Sequence, residues 1–512
     1  MRTVGAGLER DLTIPLTLPA NQSGSNPLGD ENRPWLALIG QHTAAAGFIL
    51  YAAFAPHSIA AAEISLAIVA IGWLVRATTT RKSCLRHTRL DLPIWLFFLW
   101  TVASAFLSAE PRISIAKLQS VCVLFLFYLT QAILTRRAAV LLVCVMICSG
   151  VAGTIYSVYD LVRGRGVLVE SISNESSFRE AEVQAGDVIW RVGGHRVYSK
   201  EEIDDSIKNA DVGTRLSVSV ITQGEHAERP GFLVTPQLKS LPSPSGITGS
   251  QRSHRFRASG WTRHYETFSE ILQILVQLSL GLALANLQNH GANRRFKLAA
   301  AAAFLLAVGV GLTAMRTALV ALAVGAAVVV IRAARGATRI FILAAVALVL
   351  GFGALVVWRT RATNALTLED PSSFLRLRVA QVGLSRIPLH PVFGHGMDAV
   401  KRHWTEWGFP GSEMIHLHST PLQIAFDRGL PALIFWLWIV LAFWLMTSRA
   451  EKLTRDSGDT NRHGVLLGAT GALAGFFMSS LINYNFGDGE VALVFWWMIG
   501  IVVVLSAMGS EQ

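Results

Sequence analysis

Arginine and histidine side chains recur in the sequence at positions where they could act on a phosphate group. Arg316 lies inside the apolar run GLTAMRTALVAL, Arg376 and Arg378 share a predicted amphipathic helix, and His416 and His418 precede another apolar run. Arginine is always charged and can hold phosphate oxygens through two parallel hydrogen bonds. Histidine can accept a proton from a hydroxyl group near neutral pH. These residue types together predict a site that displaces a phosphate or diphosphate leaving group with an acceptor hydroxyl.

The composition predicts that membrane-spanning helices position these residues. The chain has 512 residues, of which 52% are hydrophobic and 15% are charged, whereas soluble proteins carry about 25% charged residues. A span needs about 20 mostly apolar residues. Twelve such runs are predicted, at 35–54, 58–76, 92–108, 117–134, 138–160, 268–288, 296–314, 316–333, 339–357, 428–447, 464–483 and 489–508. The predicted fold class is an all-α polytopic membrane protein of about 12 transmembrane helices.

Basic residues set the predicted orientation of these spans. Lys and Arg cluster in every loop that joins an even-numbered span to the next one, and such loops face the cytoplasm. Both termini, including the tail 1–34, are then cytoplasmic. The hydrophilic segments 161–267 and 358–427 lie on the opposite face, between span groups 35–164, 268–357 and 428–512. The basic loops predicted to face the cytoplasm account for the net charge of +11. No nucleic-acid partner is therefore predicted.

The cysteines and histidines do not form a recognisable metal site. Cys84, Cys122, Cys144 and Cys148 have no metal-binding residues around them, and the histidine pair has no carboxylate or cysteine within two residues on either side. We therefore predict no metal, no disulfide framework and no other cofactor.

Each of these positively charged or titratable residues also has a structural interpretation. An arginine at a helix end can anchor it at the membrane surface, and a loop histidine often bonds a backbone carbonyl. A solvated helix face is the stronger interpretation for Arg386, and it stays open for Arg378. A lone outward arginine runs against the charge rule, which favours function for Arg316.

The segment 165–237 is predicted to be a small α+β domain inserted between the fifth and sixth spans. Its alternating strands are expected at 167–169, 188–192 and 216–221, with a helix from Glu201 to Asn209. The run AGDVIWRVGGHRV, residues 185–197, resembles a bacterial PDZ domain. PDZ domains add a peptide to a sheet edge, and the resemblance implies a peptide-binding loop at Arg165, Gly166, Val167 and Leu168. A packing module without a peptide ligand is the open alternative, and 238–252 is predicted to be a tether within the linker 238–267.

Three further stretches are similar to the O-antigen ligase/polymerase family of bacterial membrane glycosyltransferases. They are AMRTALVAL (314–322), FLRLRVAQVGLSRIPLHPVFGHG (374–396) and HLHSTPLQIAFDRGLPAL (416–433). A weaker similarity covers RASGWTRHYETFSEIL (257–272), so the resemblance extends over 257–483. Ser419 replaces the usual asparagine, Met315 replaces a common serine, and the PDZ-like insertion is not a general family feature.

This resemblance implies a metal-independent, inverting transfer at the periplasmic face of the bacterial inner membrane. The donor would be a glycan on undecaprenyl diphosphate, and the acceptor a hydroxyl of lipid A-core or another glycan. Arg316 and Arg376, with Arg378, would bind the diphosphate. His418 would act as base with His416 in support. Arg257, His264 and His395 become candidates for contacts with donor or acceptor.

Other functions stay open at this point. An O-antigen ligase is placed slightly ahead of a polymerase. A polysaccharide transporter predicts ionisable residues deep within several spans, and few are present. A membrane-anchored scaffold would use the PDZ-like domain to hold a peptide or a protein C-terminus.

Overall fold

The computed structural model describes residues 34–507, apart from 175, 223–224, 255–256, 263, 412–414 and most of 334–370. The predicted ninth span, 339–357, falls largely outside the described residues. Helices dominate the structure, and one antiparallel sheet domain interrupts them after α6.

The helices are named in chain order. They are α1 (Pro34–Phe54), α2 (Ile59–Thr80), α3 (Asp91–Leu107), α4 (Pro111–Ala116), α5 (Leu126–Ile133), α6 (Arg136–Arg163), α7 (Ser177–Glu180), α8 (Lys200–Asn209), α9 (Pro236–Ser240), α10 (Tyr265–His290), α11 (Arg294–Leu312), α12 (Arg316–Ala333), α13 (Pro371–Arg386), α14 (Ala399–Arg402), α15 (Thr420–Thr454), α16 (Thr460–Ser480) and α17 (Gly489–Ser506).

Eight of the described helices are long and apolar enough to cross a membrane, and α3 is a shorter apolar helix. The chain is thus a multi-pass membrane protein. The predicted spans coincide with helices at most positions, but the fourth differs. Residues Leu118–Phe125 form a tight 3₁₀ helix that leads into the short helix α5. The exact number of spans stays a prediction.

Helices α10 and α16 cross at the centre of the bundle because glycines remove the side chains between them. Gly281 on α10 faces Gly464 and Gly468 on α16, and a Cβ atom at Gly281 would lie 2.3 Å from the Gly464 carbonyl oxygen and from the Gly468 nitrogen. Small residues allow this backbone approach in membrane proteins. Most side chains of α10 are buried, so this helix is the axis around which the others pack.

Replacing Gly281 with valine should destabilise the bundle by about 3 kcal/mol or more, because the clash is with backbone atoms that cannot rotate away. Thermal unfolding of the purified protein in detergent measures this loss. Gly351→Val is the control, since a Cβ atom there meets nothing within 4 Å. Equal unfolding temperatures for the two variants would contradict the close crossing.

The inserted domain is a sheet flanked by α7 and α8. Its strands are β1 (Val167–Ile172), β2 (Val188–Val192), β3 (His195–Arg196), β4 (Arg215–Thr222), β5 (Glu225–Leu233) and β6 (Ile247–Arg252). The order is β5-β4-β2-β1-β6, with β3 pairing to β2. The predicted strands and the predicted helix are present. The Ser199 side chain accepts from the Glu202 N–H and caps α8, and the Glu202 carboxylate accepts from the Tyr198 N–H just before the cap.

One part of this domain differs from the sequence-based expectation. Residues 238–252 were expected to be a tether, yet β6 within them is a strand that pairs with β1. Proline, serine and glycine gave the segment the composition of a linker. Pairing with an available sheet edge orders it.

Candidate functional site

A kink in α15 organises the outer segment of the protein. Gly429 has a backbone φ of +83° inside α15, and Pro431 follows it. Proline has no N–H, so the Asp427 carbonyl loses its helical partner. The Gly396 N–H donates to this carbonyl at 3.0 Å, and the His395 N–H donates to the Phe426 carbonyl at 2.8 Å.

The same outer segment supplies the other side of the kink. The Leu430 N–H donates to the Pro391 carbonyl at 2.8 Å. Gly394 lies so close to α15 that a Cβ atom would be 2.4 Å from the Asp427 carbonyl carbon and oxygen. Residues 391–396 are thus docked on α15 by backbone hydrogen bonds, which explains the Pro-x-x-Gly-His-Gly pattern.

The histidine-containing loop is fixed to the first turn of α15. The Gln423 side-chain oxygen accepts from the Leu417 N–H at 2.7 Å, and the Gln423 amide donates to Asp427 at 2.8 Å. The Leu417 side chain is buried in the apolar cluster that contains Val379 of α13. Because Leu417 lies between His416 and His418, this packing brings both histidines beside α13.

Arg376 on α13 joins the histidines to α10. Its Nη2 atom lies 3.8 Å from Glu266 Oε1 in the first turn of α10. Its Nε atom is buried and has no hydrogen-bond partner among the described residues. The guanidinium therefore has donor capacity left for an anionic ligand.

The two histidines form a close pair in this setting. Their ring centroids are 4.2 Å apart, and the His418 N–H donates to His416 Nδ1 at 3.3 Å. His418 has a φ of +50°, which is uncommon for a residue other than glycine. Both ring nitrogens of His418 are buried without a hydrogen-bond partner in the described part of the chain.

Burial and positive charge keep both imidazoles neutral. Burial chiefly lowers the pKa of His416 to about 4, with Arg376 adding to the effect. Burial likewise lowers the pKa of His418 to about 2, with His416 and Arg376 adding to it. A neutral imidazole can accept a proton, and a bound anion beside it would raise its pKa.

The histidine pair adjoins a polar cavity of about 830 Å³. His416, His264 and Glu266 contribute to its wall, together with Tyr484, whose ring centroid lies 5.7 Å from that of His416. The cavity opens at the ends of α10, α15 and α17, the same end of the bundle that bears the sheet domain.

The cavity is lined by both acidic and basic side chains. The acidic ones include Glu266 and Glu270 of α10 and Asp488, which accepts a hydrogen bond from Thr267. The basic ones include Lys117 and Lys401, and Lys117 lies 3.0 Å from Asp398. A ligand that combines sugar hydroxyls with a phosphate group has partners for both, because carboxylates accept hydrogen bonds from hydroxyls.

Most charged residues of the cavity were not identified from the sequence, and two of them, Arg428 and Glu270, are buried with polar atoms that have no partner among the described residues. Arg428 is 6% exposed, and its Nε and Nη1 atoms have no hydrogen-bond partner among the described residues. Glu270 is buried and accepts from Ser479 and Asn483, while its Oε2 atom is unpaired within the described structure. An outward arginine before a span and the one acid inside the sixth predicted span were the signals that could have identified them.

The other predicted arginines occupy different surroundings. Arg316 is the first residue of α12 and is partly buried. Its neighbour Met315 contacts Ser269 of α10 through sulfur at 2.7 Å, which places Arg316 beside the helix that carries Glu266. Arg378 is exposed, and its guanidinium lies 5.8 Å from the ring of Phe374 on the same helix.

The three residues predicted as further substrate contacts lie in different environments. His264 lines the cavity. Arg257 is 3% exposed and lies 4.2 Å above the ring of Tyr265, next to Glu266. His395 instead stacks on Phe426 at 4.3 Å, and its Nε2 atom donates to the Arg386 carbonyl. The structure gives His395 a packing environment and does not place it among the described residues that line the cavity.

The predicted peptide-binding loop lies against the membrane helices and the sheet. Arg165 Nε donates to Asp160 at 2.9 Å, and its Nη1 donates to Ser259. Val167 and Leu168 pair with β2 on one side and with β6 on the other. The edge at which a peptide would add is thus paired with the same chain. Within the described residues, no group of three or more His, Cys, Asp or Glu side chains is arranged to hold a metal ion.

The lowered pKa of His416 predicts a pH-dependent stability. The folded protein holds this imidazole neutral, so its contribution is complete above the ordinary pKa of 6.5 and is lost as the pH falls toward about 4. The loss amounts to about 3 kcal/mol. His416→Gln should flatten this part of the profile in thermal unfolding between pH 7 and pH 4. His195→Gln, on an exposed strand, is the control, and identical profiles for His416→Gln and the wild type would refute the assignment.

Comparisons with known families agree with the resemblance inferred from the sequence. Residues 301–437 match the family described as O-Antigen ligase, and residues 152–228 match the PDZ domain family. The first match includes Arg316, Arg376 and both histidines of the pair, whereas Arg257 and His264 precede it. No curated protein matches the chain. The predicted combination of an O-antigen-ligase region with an inserted PDZ domain is thus confirmed.

Proposed function

We propose that this protein transfers a glycan from undecaprenyl diphosphate to an acceptor hydroxyl at the periplasmic face of the bacterial inner membrane. The observation that carries the proposal is the meeting of Arg376, His416 and His418 beside a polar cavity at one end of a membrane-helix bundle. The O-Antigen ligase match over these residues supports the reaction class.

Arg376 is proposed to bind the donor diphosphate. Its buried Nε atom, which has no hydrogen-bond partner among the described residues, and its position beside the histidines suit a phosphate oxygen. Arg316, the first residue of α12, is proposed to bind the same diphosphate. Charge builds on the diphosphate as its bond to the sugar breaks, and fixed guanidinium groups stabilise that charge. Arg428 adds a buried cation inside the cavity.

His418 is proposed to accept the proton of the acceptor hydroxyl, with His416 orienting it. The acceptor oxygen forms a bond to the anomeric carbon while the bond from that carbon to the diphosphate oxygen breaks. The bond's electron pair leaves with undecaprenyl diphosphate, and the hydroxyl proton passes to the imidazole. Attack on the face opposite the leaving group inverts the anomeric configuration. The reaction needs no metal or nucleotide because the diphosphate is already a good leaving group.

The acidic wall of the cavity is proposed to bind the sugar. Glu270 and Asp488 are fixed by hydrogen bonds from Ser479, Asn483 and Thr267. Carboxylates held in this way can accept hydrogen bonds from glycan hydroxyls without reorganisation. Lipid A-core or a second lipid-linked glycan would serve as acceptor, which corresponds to a ligase or a polymerase respectively.

The orientation follows from the basic loops, which place both termini in the cytoplasm. Every element of the site then lies on the periplasmic side, together with the PDZ domain. A lipid-linked donor would reach the cavity from the surrounding membrane, where its polyprenyl chain stays.

Arg376→Gln and His418→Ala should each abolish transfer while the protein still accumulates in the membrane. The first removes the positive charge on the diphosphate, and the second removes the proton acceptor. Losses of about 100-fold or more are expected from groups of these kinds. Transfer is scored in a deletion strain complemented with each variant, by gel separation of its polysaccharides.

Arg378, which the resemblance also assigned to the diphosphate, is exposed on the same helix two residues from Arg376, and its guanidinium lies near the ring of Phe374. We therefore leave it out of the proposed site, and Arg378→Gln is the matched control. It should keep transfer near the wild-type level. Normal glycan attachment and polymer length in both Arg376→Gln and His418→Ala would disprove the proposal. In the deletion strain itself, free lipid-linked polymer with bare core indicates a ligase, and single-repeat products indicate a polymerase.

A further inference from the structure

Strand β6 occupies the edge of β1 at which a PDZ domain takes up a peptide. It pairs antiparallel with β1, with Val167 opposite Arg252, Leu168 opposite Gln251 and Val169 opposite Ser250. On its other side β1 pairs with β2. Addition of an extended segment to a free edge is the way in which these domains bind their ligands.

The end of β6 meets the predicted peptide-binding loop, which begins at Arg165. The Arg165 N–H donates to the Ser253 carbonyl at 2.8 Å, and the Ser253 N–H donates to the Gly166 carbonyl at 3.2 Å. The Ser253 carbonyl thus takes a backbone donor that could otherwise bind the terminal carboxylate of a peptide.

Helix α8 closes the other side of the groove over the same segment. The carboxylate of Asp204 accepts from the Ser245 N–H at 2.8 Å and from the Ser243 hydroxyl at 3.0 Å. The Ile247 side chain is 1% exposed and lies in the domain core with Ile203 of α8. Residues 243–253 therefore fill the space between β1 and α8.

We propose that residues 243–253 are a built-in peptide ligand of the PDZ domain. The domain is self-liganded in the resting protein, and its groove accepts another peptide only when this segment leaves. The competing ligand is an extended peptide with an aliphatic residue at the position of Ile247 and a free carboxylate next to Arg165. This proposal rests on the PDZ domain alone and is independent of the transferase proposal.

The self-liganded state also fixes the connection to the membrane helices. Beyond Ser253, the Ala258 N–H donates to the Leu312 carbonyl and the Gly260 N–H donates to Ser157, both at 3.0 Å. Arg257 in this connector lies over Tyr265, next to Glu266. Release of residues 243–253 would free the start of the connector that follows Ser253. Occupancy of the groove by this segment is therefore coupled to the position of Arg257.

A peptide-binding measurement on the full-length protein in detergent tests the proposal. The probe is a fluorescent peptide of sequence SPSGITGSQRS, residues 243–253, with a free C-terminus, and fluorescence anisotropy gives its affinity. The Val169 N–H and carbonyl bond away from β6, to Asp187 and Gly186, so the next pair, Leu168 with Gln251, is the one that exchanges hydrogen bonds between β1 and β6. The release variant, Ile247→Ala with Gln251→Pro, therefore removes the buried anchor and a strand N–H that faces β1 but leaves the groove unchanged. We expect it to bind the probe at least about tenfold more tightly than the wild type.

A disulfide lock provides the matched control. Ser171 Oγ and Thr248 Oγ1 are 2.8 Å apart across β1 and the start of β6, so Ser171→Cys with Thr248→Cys should cross-link once the native cysteines are replaced. The oxidised protein should exclude the probe under every condition. Probe binding by the wild type as tight as by the release variant would overturn the proposal. So would a failure of the cysteine pair to cross-link in membranes, or a folded release variant that does not bind the probe.

Discussion

The site depends on how the backbone groups at the kink in α15 find hydrogen-bond partners. Inside a membrane protein, every backbone N–H and C=O group needs a partner. Gly429 and Pro431 break the helical pattern, and residues 391–396 satisfy the carbonyls of Phe426 and Asp427 together with the N–H of Leu430. A loop bound this firmly can carry functional groups at a fixed distance from the bundle.

The positions of Arg376 and of the histidine pair depend on this docking of residues 391–396. Residues 391–396 follow α13 after a short 3₁₀ helix, Ile387–Leu389, so docking them on α15 also holds the helix of Arg376 there. Leu417 then packs into the cluster with Val379, and Gln423 fixes its backbone. The ion pair of Arg376 with Glu266 connects the outer segment to α10, most of whose side chains are buried. Backbone hydrogen bonds, apolar packing and the ion pair thus hold α10, α13 and α15 around the cavity.

The sequence predicted the elements of this structure better than their contacts. Hydropathy identified α1 and α12 nearly to the residue, because length and apolarity decide a span. Alternating strand patterns likewise identified β1 and β2, and the predicted helix from Glu201 to Asn209 coincides with α8. The tight helix Leu118–Phe125 was missed, since composition does not distinguish it from an α-helix. Strand β6 was missed because only pairing with β1 orders a segment of its composition.

The site was predicted in part for similar physical reasons. Residue types pointed to Arg376 and the histidines, and the structure places them together. The environment of His395 depends on Phe426 and Arg386, which become its neighbours only through the kink in α15. Arg428 resembled a topological charge at the start of a span, and only its burial beside the cavity separates it from one. Long-range contacts of this kind leave no local pattern in a single sequence.

The central claim is that Arg376 faces the diphosphate of a polyprenyl lipid, and an affinity measurement tests it most directly. Purified wild-type protein, Arg376→Gln and Arg378→Gln in lipid nanodiscs are titrated with undecaprenyl diphosphate that carries no glycan. Loss of a charge-assisted contact to phosphate should weaken binding by about tenfold or more in Arg376→Gln, whereas Arg378→Gln should bind as the wild type does. Wild-type affinity in Arg376→Gln would contradict the account.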